Sequence, residues 1–199
     1  MNDSTKSIIL EKAHKLFADR GVNGVSVREI AKECDVNVAA INYHFTNKDN
    51  LYIETIRHSM QQTHSEIESI YNSLDVKNVE NITVAVYEHF MNNAEDLRTG
   101  FKLIISNDKY HDHLGEDMIK FRGPPGGEFF VKCLKSEFRN SSDEDIEWAV
   151  RVIFTSVIHK ALVMCNSAMC ESIKKAGFSE QTFLNDLSRL VKVIKSDLS

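Results

Sequence analysis

Residues 26–45 read Ser-Val-Arg-Glu-Ile-Ala-Lys-Glu-Cys-Asp, then Val-Asn-Val-Ala-Ala-Ile-Asn-Tyr-His-Phe, and this stretch decides the fold. Ser26-Val-Arg-Glu29 is a capping box: the serine hydroxyl and the glutamate carboxylate satisfy each other's backbone amides at a helix start. Val27, Ile30 and Ala31 supply the apolar face of that helix, which ends near Cys34. Asp35-Val36-Asn37 is a tight turn, and Asn37 caps a third helix over 38–45. Before this pair lies an amphipathic segment, 6–20, with Ile9, Ala13, Leu16 and Phe17 on one side and Ser4 or Thr5 as cap. Gly21 stands just past its end, where a left-handed cap favours glycine. After it, Thr46-Asn47-Lys48-Asp49 opens a long helix to about residue 74. Two short helices joined by a tight turn, behind an amphipathic helix, form a helix-turn-helix reader of duplex DNA.

The residue types fit that chemistry. Asn37, Val38, Ala39 and Asn42 are small or polar, so the third helix can approach base edges closely. The Asn42 amide can pair with a base, or donate to phosphate or water instead. Tyr43, His44 and Lys48 offer a phenol, an imidazole and an ammonium to phosphate oxygens. Lys6, Ser26 and Arg28 are further candidates for the backbone; Arg28 can equally pair with Glu29. Residues 1–58 hold eight basic and eight acidic side chains, so binding here rests on aimed donors rather than on bulk charge.

The remainder agrees with an all-α chain. Only 2 of 199 residues are proline and 8 are glycine, with 42% hydrophobic and 27% charged, which disfavours turn-rich β folds. The net charge of -5 excludes a simple polybasic binder. Helices are expected over about 79–95, 97–107, 116–122, 127–139, 143–174 and from Ser179 to the end, with the sharpest break at Gly123–Gly127. Two domains follow: 1–52 for DNA binding and 53–199 for the rest. No apolar run approaches the roughly 18 residues a membrane span needs. Together with four cysteines lacking a Cys-x-x-Cys pattern, this points to the cytoplasm and to no membrane partner.

The ensemble Ile9-Leu-Glu-Lys-Ala13, Leu16-Phe17, Gly21, Ser26-Val-Arg-Glu-Ile30-Ala31, Val36, Asn42-Tyr-His-Phe45 and Lys48-Asp-Asn-Leu51 closely resembles the TetR family of bacterial transcriptional regulators. The resemblance covers about the first 55 residues. It implies an all-helical homodimer, mostly a repressor, with a C-terminal helical domain for ligand binding and dimerisation. It places Tyr43, His44 and Lys48 on the DNA backbone and Asn37, Val38, Ala39 and Asn42 on or near the base-reading face. This chain departs from the usual pattern at Asn42, where tyrosine is common, and at Asp35, where a small residue is common.

The resemblance also points to a ligand cavity. Phe90, Met91, Phe101, Ile104 and Phe121 lie on the helices concerned, as do Phe129, Phe130, Trp148 and Met164; each serves equally as plain core. Sixteen of the twenty-four residues in 146–169 are apolar, an arc wide enough for burial on two sides. Ile153, Val157 and Ala161, with Leu187, Leu190, Val191 and Ile194 of the last helix, are the candidate seam of a homodimer, which would present two reading helices to a palindromic operator. Asp108, His111, Asp112, His113 and Glu116 form a solvated bend or a weak metal-like cluster, with no recognisable ligand spacing. No cofactor or metal is called for. No nucleophile–base pair or phosphate-binding loop is present, which argues against an enzyme. The expected protein is a one-component regulator released from its operator by a small hydrophobic effector. The alternative is a dimeric helical sensor or protein-interaction module without specific DNA reading.

Overall fold

The computed structural model describes residues 2–105, 124–165 and 167–199. The expected helix over 116–122, the His111/His113 cluster, Phe121 and Gly123 lie outside the described residues. The described residues form helices α1 (Asn2–Arg20), α2 (Val27–Glu33), α3 (Val38–Phe45), α4 (Lys48–Ser73), α5 (Val79–Asn92), α6 (Ala94–Ile105), α7 (Gly127–Glu137), α8 (Asp143–Cys165), α9 (Ser167–Lys175) and α10 (Glu180–Leu198). The chain is all-α.

Two elements differ from the sequence expectation. Helix α1 begins at Asn2 rather than Lys6, because no proline or glycine in 2–5 interrupts it. The single helix expected over 143–174 is two helices whose axes meet at 99°. The first of them ends at Cys165 and the second begins at Ser167. No single helix among the described residues is long and apolar enough to cross a membrane.

The chain divides into two compact units, one of Met1–Gln62 with Arg98–Asp117 and one of Thr63–Leu97 with Met118–Ser199. Helices α4 and α6 each contribute residues to both. In the first unit the core is Ile9, Leu10, Ala13 and Phe17 of α1, Ile30 and Ala31 of α2, Ile41 and Phe45 of α3, and Leu51, Tyr52 and Ile56 of α4. Leu10 rather than Leu16 completes the buried stripe of α1. The Tyr52 ring meets Phe17 edge-on at 5.2 Å, and its hydroxyl donates to the Leu103 carbonyl of α6 at 2.8 Å.

The second unit is built around α8, which packs against α5, α7 and α10. Phe154 is its aromatic centre, edge-on to Phe130 at 5.9 Å and to Phe90 at 6.3 Å. Lys195 of α10 bridges Glu137 of α7 at 2.8 Å and Glu80 of α5 at 3.0 Å. The hydrogen bond that Lys195 donates to Glu137 is the main cause that raises its pKa. Glu137 also accepts from the Val79 amide at the start of α5, so one carboxylate ties three helix ends. In the break expected at Gly123–Gly127, the described residues from Pro124 turn on Gly126, whose φ of +81° is left-handed. A Cβ there would meet three Ile67 side-chain carbons at 2.8 Å, so glycine is required by both backbone and space.

Candidate nucleic-acid interface

The α2–turn–α3 element is held by hydrogen bonds that its own sequence dictates. Ser26 caps α2: its Oγ accepts from the Glu29 amide at 3.2 Å, and Glu29 accepts from the Ser26 amide at 2.8 Å. Glu29 also takes an ion pair from Arg20 at 3.0 Å. The Ser26 hydrogen bonds, with the Arg20 guanidinium behind them, lower the Glu29 pKa to about 2. Arg28 therefore does not pair with Glu29; it stands exposed in the first turn of α2.

The turn is a Schellman closure. The Val36 amide reaches back to the Ala31 carbonyl at 3.0 Å and the Asp35 amide to Lys32 at 3.2 Å. This geometry needs a left-handed residue after the cap, and Asp35 adopts it with φ +54°. The residue that departs from the small side chain common in the family thus sits where glycine is the usual solution, and aspartate is among the few that tolerate it. Asn37 then caps α3, its Oδ1 accepting from the Ala40 amide at 2.8 Å.

The α3 helix is anchored by Ile41 and Phe45, both buried. Ala39, Asn42 and Tyr43 face solvent, with Tyr43 74% exposed. Val38 and His44 are half-buried, and the His44 ring leans edge-on against Tyr43 at 5.2 Å. Two of the proposed phosphate cations have partners inside the unit. Lys6 pairs with Glu54 at 3.2 Å and lies over the Phe45 ring. Lys48 donates to the Val25 carbonyl at 3.3 Å, which leaves two of its three ammonium protons uncommitted. Both contacts join residues far apart in sequence, so no local pattern announces them.

The other candidate positions are distributed differently. Phe90, Phe129 and Phe130 are buried in the core of the second unit, with Met91 packed against it and Met164 half-buried near the end of α8. Phe101 and Ile104 belong to the first unit. Trp148 stands outside the core, 42% exposed. The candidate dimer seam lies mostly inside the single chain. Ile153, Val157, Ala161, Leu187, Val191 and Ile194 are no more than 1% exposed within the single chain. Their surface is used by the chain's own core, because α5, α7 and α10 already cover the apolar arc of α8. Of that set only Leu190 retains surface; the apolar side chains left outward on these two helices are Trp148 and Val193, the latter 60% exposed.

In the second unit His64 of α4 hydrogen-bonds Glu128 in the first turn of α7, beside the Phe129 ring. Among the described residues no three His, Cys, Asp or Glu side chains gather into a metal-holding group. Burial raises the thiol pKa of Cys34, and that of Cys133 to about 11, so neither is a ready thiolate.

Comparison with known proteins agrees with this geometry. Residues 9–55 match the bacterial regulatory proteins of the tetR family. Over 51 residues the chain is 55% identical to the probable HTH-type transcriptional regulator YttP of Bacillus subtilis, covering 26% of this chain and 25% of that one. It is 22% identical over 148 residues to the biofilm operon icaADBC HTH-type negative transcriptional regulator IcaR of Staphylococcus aureus, covering 68% and 76%. The aligned part thus spans about a quarter of YttP but three quarters of IcaR. The fold is shared with the Bacillus subtilis transcriptional regulator FadR, solved in complex with stearoyl-CoA, at a TM-score of 0.64 and 16% identity over 96% of this chain and 97% of that one. The likeness to the tetR family of bacterial regulatory proteins thus rests on the helix-turn-helix unit, residues 9–55.

Proposed function

We propose that this protein is a one-component transcriptional regulator of the cytoplasm, acting as a repressor. A homodimer places two α3 helices in successive major grooves of a palindromic operator, and a small hydrophobic effector bound by the second unit releases it. The observation that carries this reading is the solvent face of α3. Ala39, Asn42 and Tyr43 are exposed while Ile41 and Phe45 anchor the helix from behind and Asn37 caps its start. The remaining candidate contacts are Val38 and His44 on α3, with Lys48, Ser26, Arg28 and Lys6 around it.

The repressor role is supported by the name of IcaR, a negative regulator. A hydrophobic effector is supported by the phenylalanine-rich core of the second unit and by the stearoyl-CoA bound to FadR. The DNA-binding domain spans residues 1–52 and the effector and dimerisation domain 53–199. Release needs only that the effector bind more tightly to a conformer unsuited to the operator. Helices α4 and α6, each with residues in both units, are the covalent means of coupling. The dimer surface then uses the outward sides of α8 and α10, with Trp148, Leu190 and Val193.

The test is selection of duplexes from a random pool by the full chain, with a Tyr43→Ala/Lys48→Ala variant alongside. The expected result is an enriched palindrome that the variant no longer selects. Absence of any enriched sequence, with and without cell-extract metabolites, refutes the reading.

A further inference from the structure

The geometry points to Asn42 as the specificity-determining residue of α3, reading an adenine in each half-site; this rests on the DNA-binding reading above. The exposed face of α3 carries three side chains, Ala39, Asn42 and Tyr43. They lie at i, i+3 and i+4, so they share one side of the helix. Ala39 brings only a methyl group. Tyr43 brings one oxygen, which cannot span two neighbouring atoms of a base edge. Asn42 alone brings a carbonyl and an amino group side by side.

The other asparagine of the element is excluded by its own hydrogen bond. The Asn37 Oδ1 is committed to the Ala40 amide at 2.8 Å, and its rotamer is held by the capping role. The Asn42 side chain makes no hydrogen bond among the described residues; its backbone carbonyl accepts from the Thr46 amide. The amide is therefore free to turn towards a ligand.

The paired donor and acceptor of an asparagine match one major-groove edge. Adenine offers the N7 acceptor beside the N6 amino donor, whereas guanine offers two acceptors, cytosine a donor alone and thymine an acceptor beside a methyl. Ala39, one turn earlier on the same face, would pack against the thymine methyl of a neighbouring base pair.

The test compares the full-length wild type with Asn42→Ala and Asn42→Gln on the duplexes the wild type selects. The expected result is one A·T pair per half-site whose replacement weakens wild-type binding about 5- to 150-fold, while Asn42→Ala accepts all four pairs there and keeps its preferences elsewhere. Replacing that adenine by 7-deazaadenine, which lacks the N7 acceptor, should weaken the wild type and leave Asn42→Ala unchanged. Thermal unfolding of the variants should match the wild type, since the side chain is exposed and makes no internal bond. Unchanged base preferences in Asn42→Ala overturn the assignment, and so does a uniform loss across all sequences, which marks a phosphate contact. If the wild type selects no duplex at all, the DNA-binding reading falls first and this assignment with it.

Discussion

The salt dependence of operator binding follows from which cations the structure leaves uncommitted. Each phosphate neutralised by a protein cation contributes about -0.9 to the slope of log K against log salt concentration. The sequence offers Lys6, Arg28 and Lys48 in each head, six cations in a dimer and a slope near -5. The structure removes one of the three. The Lys6 ammonium is paired with Glu54 at 3.2 Å, so its approach to phosphate brings a carboxylate with it. Arg28 is exposed and lacks the Glu29 partner, which is taken by Arg20. Lys48 gives one donor to the Val25 carbonyl, a neutral group, and keeps its charge. Two cations per head then give a slope of about -3.6, or about a 150-fold loss of affinity between 50 and 200 mM salt. Six cations would give roughly a 2,000-fold loss over the same range. Lys48→Ala should flatten the slope by about 1.8 in the dimer, while Lys6→Ala should change it by less than about 0.5. Fluorescence anisotropy titrations of one operator at five salt concentrations measure all three proteins. Equal flattening by the two substitutions refutes the pairing argument, and a flat line for the wild type removes the phosphate contacts altogether.

Three further outcomes follow. Gly126→Ala adds a left-handed alanine and a methyl against Ile67, and should cost about 2–5 kcal/mol of stability in all; a melting temperature within about 1 °C of the wild type would contradict the close approach. Glu29 has its folded pKa depressed from 4.5 to about 2. Its contribution to the α2 cap is therefore complete above about pH 4.5 and lost as the pH falls towards 2. Helicity followed by circular dichroism from pH 6 to 2 should show a smaller loss in Glu29→Gln than in the wild type, and identical titrations would count against the cap. Val193→Glu puts a charge on the exposed apolar side of α10 and should shift sedimentation from dimer to monomer; an unchanged dimer would locate the interface elsewhere.

Much of the first unit was legible because its determinants are local. Ser26 and Glu29 are three residues apart, as are Asn37 and Ala40, so capping sets the limits of α2 and α3 without long-range contacts. The same holds for Gly21, whose left-handed φ of +68° closes α1. The exposed face of α3 also follows from period alone once Ile41 and Phe45 are assigned inward. The second unit was less legible. A helix with apolar residues on most sides has the same sequence whether its extra surface meets a partner subunit or three neighbours in its own chain. Ile153, Val157 and Ala161 illustrate this: periodicity marked them as buried but could not say against what.

The sequence by itself determined the all-helical class and the helix-turn-helix unit, since helix caps, turn residues and short-period stripes act within a few residues of one another. Only the tertiary structure decided which charges are spent and which are free. The Lys6–Glu54 and Lys195–Glu137 pairs join residues 48 and 58 apart, and Lys48 finds its acceptor 23 residues back. Coulomb and hydrogen-bond partners at such separations are chosen by packing, because a charge pairs with what the fold brings within about 3 Å rather than with its neighbours in the chain. The same packing closed the α8 arc and left the Asn42 amide exposed on α3 without a hydrogen-bond partner among the described residues.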